Sequence, residues 1–168
     1  MNNIFKRRSV RRFLDVKVEK EKIDRLLRAA MQAPSARNQQ PWEFMVIDDK
    51  KTIEQLSKFS VNARMLLEAP LAIIILEKTT DIVAPYAVYQ DLGACTQNLL
   101  LQAVEEKLGA VWLGVGNVDG REKFIVDMFN IPGNVKPFAV IAVGYPMDAD
   151  ANHFVDRYDG ARVHYNGY

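Results

Sequence analysis

The sequence has one cysteine and two histidines in 168 residues. A single thiol, Cys95, cannot close a disulfide within the chain, which fits a reducing compartment. His153 and His164 both lie near the C-terminal end, and no HExxH spacing occurs, so a zinc site has no ligand set. There is no GxSxG elbow and no Walker-type phosphate loop. Ser9, Ser35, Ser57 and Ser60 have no histidine beside them in sequence. The longest apolar runs, such as 71–76, fall far short of the roughly 20 residues that span a bilayer. Met1 is followed by polar and basic residues rather than an apolar signal core, so a cytoplasmic protein is expected. Net charge is +1, from 22 Lys and Arg against 21 Asp and Glu, and nothing global attracts nucleic acid or an anionic membrane. No residue stands out as a protein acid, base or nucleophile. If the chain is an enzyme, a cofactor has to carry the hard chemistry.

What is present fits one globular domain over residues 1–168, with 49% hydrophobic and 26% charged residues. Ile23, Leu26, Leu27, Ala30 and Met31 keep helical spacing and predict an amphipathic helix over 19–32. A strand is expected over 43–47, with Asp48 and Asp49 as turn and helix cap. Short helices are expected over 52–60 and 62–68. The unbroken run 71–76 predicts a central strand covered on both faces. Residues 84–108 carry the longest helical signal, with a break near 89–91, a wide apolar surface and Gly109 as its stop. A strand over 111–116, a helix over 122–129 and a second buried strand over 138–146 follow. Beyond Pro146 the chain turns polar. Residues 148–168 read as a tail that packs on a neighbouring subunit.

Two stretches hold unusual polar chemistry. Arg7, Arg8, Arg11 and Arg12 make the densest charge cluster, and Asn2 or Asn3 is placed to cap a helix that carries them. On such a helix Arg7 and Arg11 would share a face and could grip one phosphate. A solvated basic arm and a nucleic-acid arm fit the same residues. The interleaved Ser9, Val10 and Phe13 argue against disorder. The second stretch is the loop 33–42, Ala33-Pro34-Ser35-Ala36-Arg37-Asn38-Gln39-Gln40-Pro41-Trp42. It contains no glycine, and its two prolines stiffen it. Its hydroxyl and amide groups suit a flat polar ligand, although they could equally do no more than cap helix ends. Residues 114–120 nearly match a dinucleotide fingerprint, but the third glycine is one position late and the acidic partner is missing. Cys95 reads as inert filling.

These residues resemble the FMN-dependent nitroreductases. Arg7-Arg8-Ser9-Val10-Arg11-Arg12-Phe13 looks like that family's RRSxRxF signature. Ala33-Pro34-Ser35, Asn38 and Gln40-Pro41-Trp42 look like its APSxxNxQPW loop. The helix at 91–103, the strand at 111–114, Ile131-Pro132 before Gly144-Tyr145-Pro146, and the closing Arg157 and Arg162-Val163-His164 follow in the family's order. The resemblance implies an α+β, three-layer fold with a mixed central sheet flanked by helices, in an intertwined homodimer with FMN at the interface. It implies that Arg7, Arg8, Ser9 and Arg11 hold the phosphate and ribityl chain, joined by the tail arginines Arg157 and Arg162. Pro34, Ser35 and Ala36, with Asn38 on the same loop, would come from the partner subunit. Asn62 would meet the pyrimidine edge, and Trp112, Leu113 and Gly114 would line the ring. Met65 departs from relatives that carry a lysine there. The implied activity moves electrons from NADH or NADPH through FMN to a nitroaromatic or quinone. Reductive dehalogenation and a non-catalytic FMN sensor or carrier are the alternatives.

Overall fold

The computed structural model describes residues 3–118 and 120–168. Four strands form one sheet in the order β1-β2-β4-β3. They are β1 Trp42–Ile47, β2 Leu71–Lys78, β3 Gly109–Gly114 and β4 Val135–Gly144. The helices are α1 Asn3–Lys6, α2 Lys20–Met31, α3 Lys50–Leu56, α4 Val88–Glu105 and α5 Arg121–Phe129. Each strand pairs antiparallel with its neighbour. Among the described residues parallel pairing is confined to a single bridge between Ser9 and Ala110, so the sheet expected to be mixed is antiparallel in all four strands. That pairing also removes the dinucleotide reading of 114–120, which requires a parallel βαβ unit.

β2 is central, as its unbroken apolar run predicts. Leu71, Ile73 and Ile75 point into a layer made by α2 and α4, while Ala72, Ile74 and Leu76 point into one made by α3, the following turns and α5. Alternation of side chains across a strand produces this three-layer packing directly. Asp49 caps α3 as expected, accepting from the Thr52 N–H at 2.8 Å. Pro137 sits where β4 bulges against β2, the position a sheet tolerates for a residue without an N–H. The bulged residue is Phe138, whose carbonyl accepts from both Val115 N and Gly116 N.

Three expectations need correction. Residues 7–13 are not helical: α1 ends at Lys6, and the arm runs extended. Its backbone is claimed by the sheet, through Val10 N–H to the Ala110 carbonyl and through bridges Ser9–Ala110 and Phe13–Pro146. Asn2 lies outside the described residues. Second, α4 is unbroken at 89–91; the irregular piece is the turn Pro85–Ala87 that precedes it. Third, Gly109 does not stop α4. The stop is Lys107, in the left-handed region at φ 61°. Leu108 N–H returns to the Ala103 carbonyl at 2.7 Å and Lys107 N–H to Val104, the bonding of a Schellman motif. Gly109 serves close packing instead: a Cβ there would lie 2.6 Å from a Val10 side-chain carbon.

Among the described residues no helix is long and apolar enough to cross a membrane. A side chain in the left-handed region costs about 1–2 kcal/mol, part of which glycine loses again as extra freedom when unfolded. Lys107→Gly is therefore expected to raise the unfolding free energy by about 0.5–1 kcal/mol. Urea denaturation with an unchanged m-value checks it.

Candidate functional site

The extended arm positions the site. Val10 is buried against Gly109, and its N–H bonds to the outer edge of β3. Because strand residues present their amide and carbonyl on alternate sides, Trp112 and Gly114 share the outward side used by Ala110. The Gly114 carbonyl confirms this by accepting from Arg121 Nη1 at 2.7 Å. Beyond Val10 the arm diverges, and an uncovered stretch of strand edge is left between Arg11 and Arg121.

A cleft of about 520 Å³ opens along that edge. Phe59, Met65, Trp112 and Leu113 give it apolar walls, and Asn62, Arg11, Arg64 and Arg121 give it polar groups. The Trp112 indole stacks at a tilt on Phe138, with ring centroids 5.7 Å apart. A second cleft of about 560 Å³ lies on the other side of Arg11. Arg7, Arg8, Ser9, Arg11, Arg12, His153 and Arg157 line it, with Asp148 as its one carboxylate. Arg11 is common to both clefts.

The electrostatics of the second cleft are unbalanced. Burial and the neighbouring charges of Arg8 and Arg157 push the Arg7 guanidinium below its ordinary value. Arg8 spends two N–H groups on the carbonyls of Arg7 and Phe5, while its buried Nε has no partner among the described residues. Arg12 is drawn away to Glu68, with Nε 2.8 Å from the carboxylate. Arginines that outnumber the carboxylates beside them are stabilised by an added anion. The start of the tail completes the cluster. Asn152 accepts from Arg8 N–H and donates to the Leu108 carbonyl, and the Phe154 and Phe5 rings stand 5.9 Å apart.

A ligand with a flat ring at one end and a phosphate at the other suits the pair of clefts, and FMN has that shape. The structure brings together Arg7, Arg8, Ser9, Arg11 and Arg157 in one cleft, and Asn62, Trp112, Leu113 and Gly114 in the other. Arg162 is not brought there: it is exposed and held by Asp159 at 3.0 Å. Pro34, Ser35, Ala36 and Asn38 line neither cleft. They sit against the start of α4 instead. The Asp91 carboxylate, 5% exposed, accepts from Ala36 N–H at 3.0 Å and from Gln39 Nε2 at 2.7 Å. Gln39 also bonds both backbone groups of Ala84, and Ser35 Oγ accepts from Gln40 N–H. This scaffold holds Arg37, Asn38 and Gln40 at φ 53°, 55° and 46° without a glycine. Such strain, of order 1–3 kcal/mol per residue, persists where surrounding contacts over-determine it.

Asp91, Gln39, Arg64 and Arg121 were missed as site residues by sequence reasoning. Asp91 reads there only as a possible helix break, and the clue was an acidic residue in the first turn of a long helix. Cys95 is fully buried and burial pushes its thiol up to about 12. It is expected to stay unreactive toward a disulfide reagent at pH 8 and to react once the protein is unfolded in denaturant. A thiol titration in the two conditions checks this.

Fold and clefts together define an α+β protein shaped for an elongated ligand with one flat and one anionic end. The nitroreductase family profile matches residues 4–63 and 60–145. An Archaeoglobus fulgidus protein with the provisional name NADH dehydrogenase/NAD(P)H nitroreductase is 37% identical over 163 residues, covering 96% of this chain and 94% of its own. The crystal structure of a provisionally named NADH oxidase from Clostridium acetobutylicum is 49% identical with a TM-score of 0.96, covering 99% of this chain and 100% of its own. That of an FMN-dependent nitroreductase from Clostridium difficile is 32% identical with a TM-score of 0.90, covering 99% of each chain. The chain belongs to the nitroreductase family.

Proposed function

We propose that this protein is an FMN-dependent oxidoreductase that moves an electron pair from NADH or NADPH to an electron-poor acceptor such as a nitroaromatic or quinone. The observation that carries the reading is the pair of clefts joined at Arg11, one with apolar walls of Phe59, Met65, Trp112 and Leu113, the other lined by more guanidinium groups than its carboxylate Asp148 balances. The overall reaction with a quinone consumes NAD(P)H and one proton and yields NAD(P)+ and the hydroquinone. Bound FMN supplies the redox chemistry between the two. The chain's own residues bind and orient. Arg7, Arg8, Arg11 and Arg157 meet the phosphate, with charge-assisted hydrogen bonds of roughly 1.5–3 kcal/mol each. Ser9 offers a hydroxyl to the chain between phosphate and ring. Asn62 meets the pyrimidine edge, and the outward groups of Trp112 and Gly114 offer the ring a backbone rim.

The same reading makes the protein a homodimer. Pro34, Ser35 and Ala36 line neither cleft of their own chain, and the family resemblance assigns them to the partner's flavin. Gly93, Ala94, Leu101 and Val104 on α4 are only half-buried, and Tyr158, Tyr165 and Tyr168 in the tail are exposed. A second copy is the natural cover for both. A cytoplasmic setting, where NAD(P)H is supplied, belongs to this reading.

The purified protein is expected to bind FMN and to lose its visible flavin absorbance on anaerobic addition of NADH or NADPH. Arg11→Ala should weaken FMN binding by about tenfold or more, and Arg37→Ala should have little effect. No uptake of FMN, or equal affinity in the two variants, contradicts the assignment. Light scattering at micromolar concentration should give twice the chain mass. A monomeric mass would refute the shared site.

A further inference from the structure

Among the described residues, the cleft along β3 has three guanidinium groups in its lining and no carboxylate. Arg11 also lines the phosphate cleft and is accounted for there. Arg64 and Arg121 do not line it, and neither forms an ion pair among the described residues. They come from different elements, Arg64 from the turn Arg64–Leu67 and Arg121 from the first residue of α5. Arg121 is half-buried and spends one N–H on the Gly114 carbonyl. A cation in the first turn of a helix works against the helix dipole, so its field adds to that of the amide groups there instead of neutralising them. α5 has no side-chain cap, and Glu122 is the acidic residue of its first turn, outside the cleft lining. Met65 and Leu113 line the same cleft and give it apolar wall.

An apolar slot flanked by two unpaired cations selects a flat ring that carries a negative substituent. We propose that Arg64 and Arg121 bind the oxyanion of the redox substrate, so that the enzyme prefers aromatic acceptors bearing a carboxylate over neutral ones. The proposal rests on the reading that the flavin ring lies in this slot with the substrate beside it. The same oxyanion chemistry could come from a phosphate of the nicotinamide dinucleotide, and the test separates the two sources.

The experiment uses the FMN-loaded protein, wild type, Arg64→Gln, Arg121→Gln and the double variant. Benzoate and benzamide are titrated against the oxidised protein while the flavin absorbance is followed. Wild type should bind benzoate about tenfold or more tighter than benzamide, the worth of one charge-assisted hydrogen bond. Each single variant should lose most of that preference and the double variant all of it, with benzamide and FMN affinity unchanged. In turnover, KM for 4-nitrobenzoate should rise with kcat held, while KM for 4-nitrobenzamide stays put. Equal binding of benzoate and benzamide to wild type overturns the proposal and leaves the flavin reading standing. A rise in KM for NADH or NADPH with benzoate affinity unchanged assigns the arginines to the dinucleotide and overturns it too. Weakened FMN binding in either single variant assigns them to the cofactor, with the same consequence. Failure of wild type to take up FMN removes the flavin reading itself, and the proposal with it.

Discussion

The contact of Val10 with Gly109 is the constraint on which the rest depends. The two residues are distant in sequence and so close in space that no side chain fits at position 109. With the Val10 N–H bonded to Ala110, the arm becomes a short outer rim to β3. Two consequences follow at once. The arginines are carried to one end of the strand edge, and the remainder of that edge is left uncovered for a ring. One packing contact thus sets both the spacing and the polarity of the two clefts. Open strand edges are usually a liability that proteins cover or charge. Here the charged residues stand at the two ends of the gap, and the gap itself reads as the binding surface.

The second wall is built by the opposite strategy. The loop 33–42 owes its shape to a buried carboxylate and a glutamine, not to glycine. Asp91 and Gln39 bind the loop to the first turns of α4, and the strained residues Arg37, Asn38 and Gln40 are fixed by that attachment. Within one chain this loop lines neither cleft. In the homodimer proposed above, the loop would meet the flavin of the second copy. The half-buried strip on α4 lies on the helix whose first turn holds Asp91, so the anchor of the loop and the uncovered strip belong to one element.

Elements whose cause is local were legible in the sequence. The apolar run of β2, the helical spacing of α2 and the Asp49 cap each lie within a few residues of their effect. Nine residues that the resemblance assigns to the cofactor line one or the other of the two clefts: Arg7, Arg8, Ser9, Arg11, Asn62, Trp112, Leu113, Gly114 and Arg157. Features that depend on distant partners were not legible. Residues 7–13 have the composition of a helix and are extended because Ala110 and Pro146 claim their backbone. Lys107 ends α4 in a conformation usually left to glycine, while the adjacent Gly109 serves packing. Met65 suggested a site short of positive charge, yet Arg64 and Arg121 stand in the same cleft, one adjacent in sequence and one far away.

The inventory of the ring-side cleft also decides where protons come from. Among the described residues its lining contains arginines, a serine and an asparagine, with no carboxylate, histidine, lysine, cysteine or tyrosine. Guanidinium groups do not release protons in the physiological range, and amides and hydroxyls do not titrate there. Pro34, Ser35 and Ala36, the partner residues proposed to face the ring, add none. Among the described residues this cleft therefore offers charge, shape and hydrogen bonds, and no proton donor matched to neutral pH. Reduction of a quinone or nitro group consumes protons, and water is the donor that such a lining leaves room for. An open cleft is suited to that requirement, because it admits water.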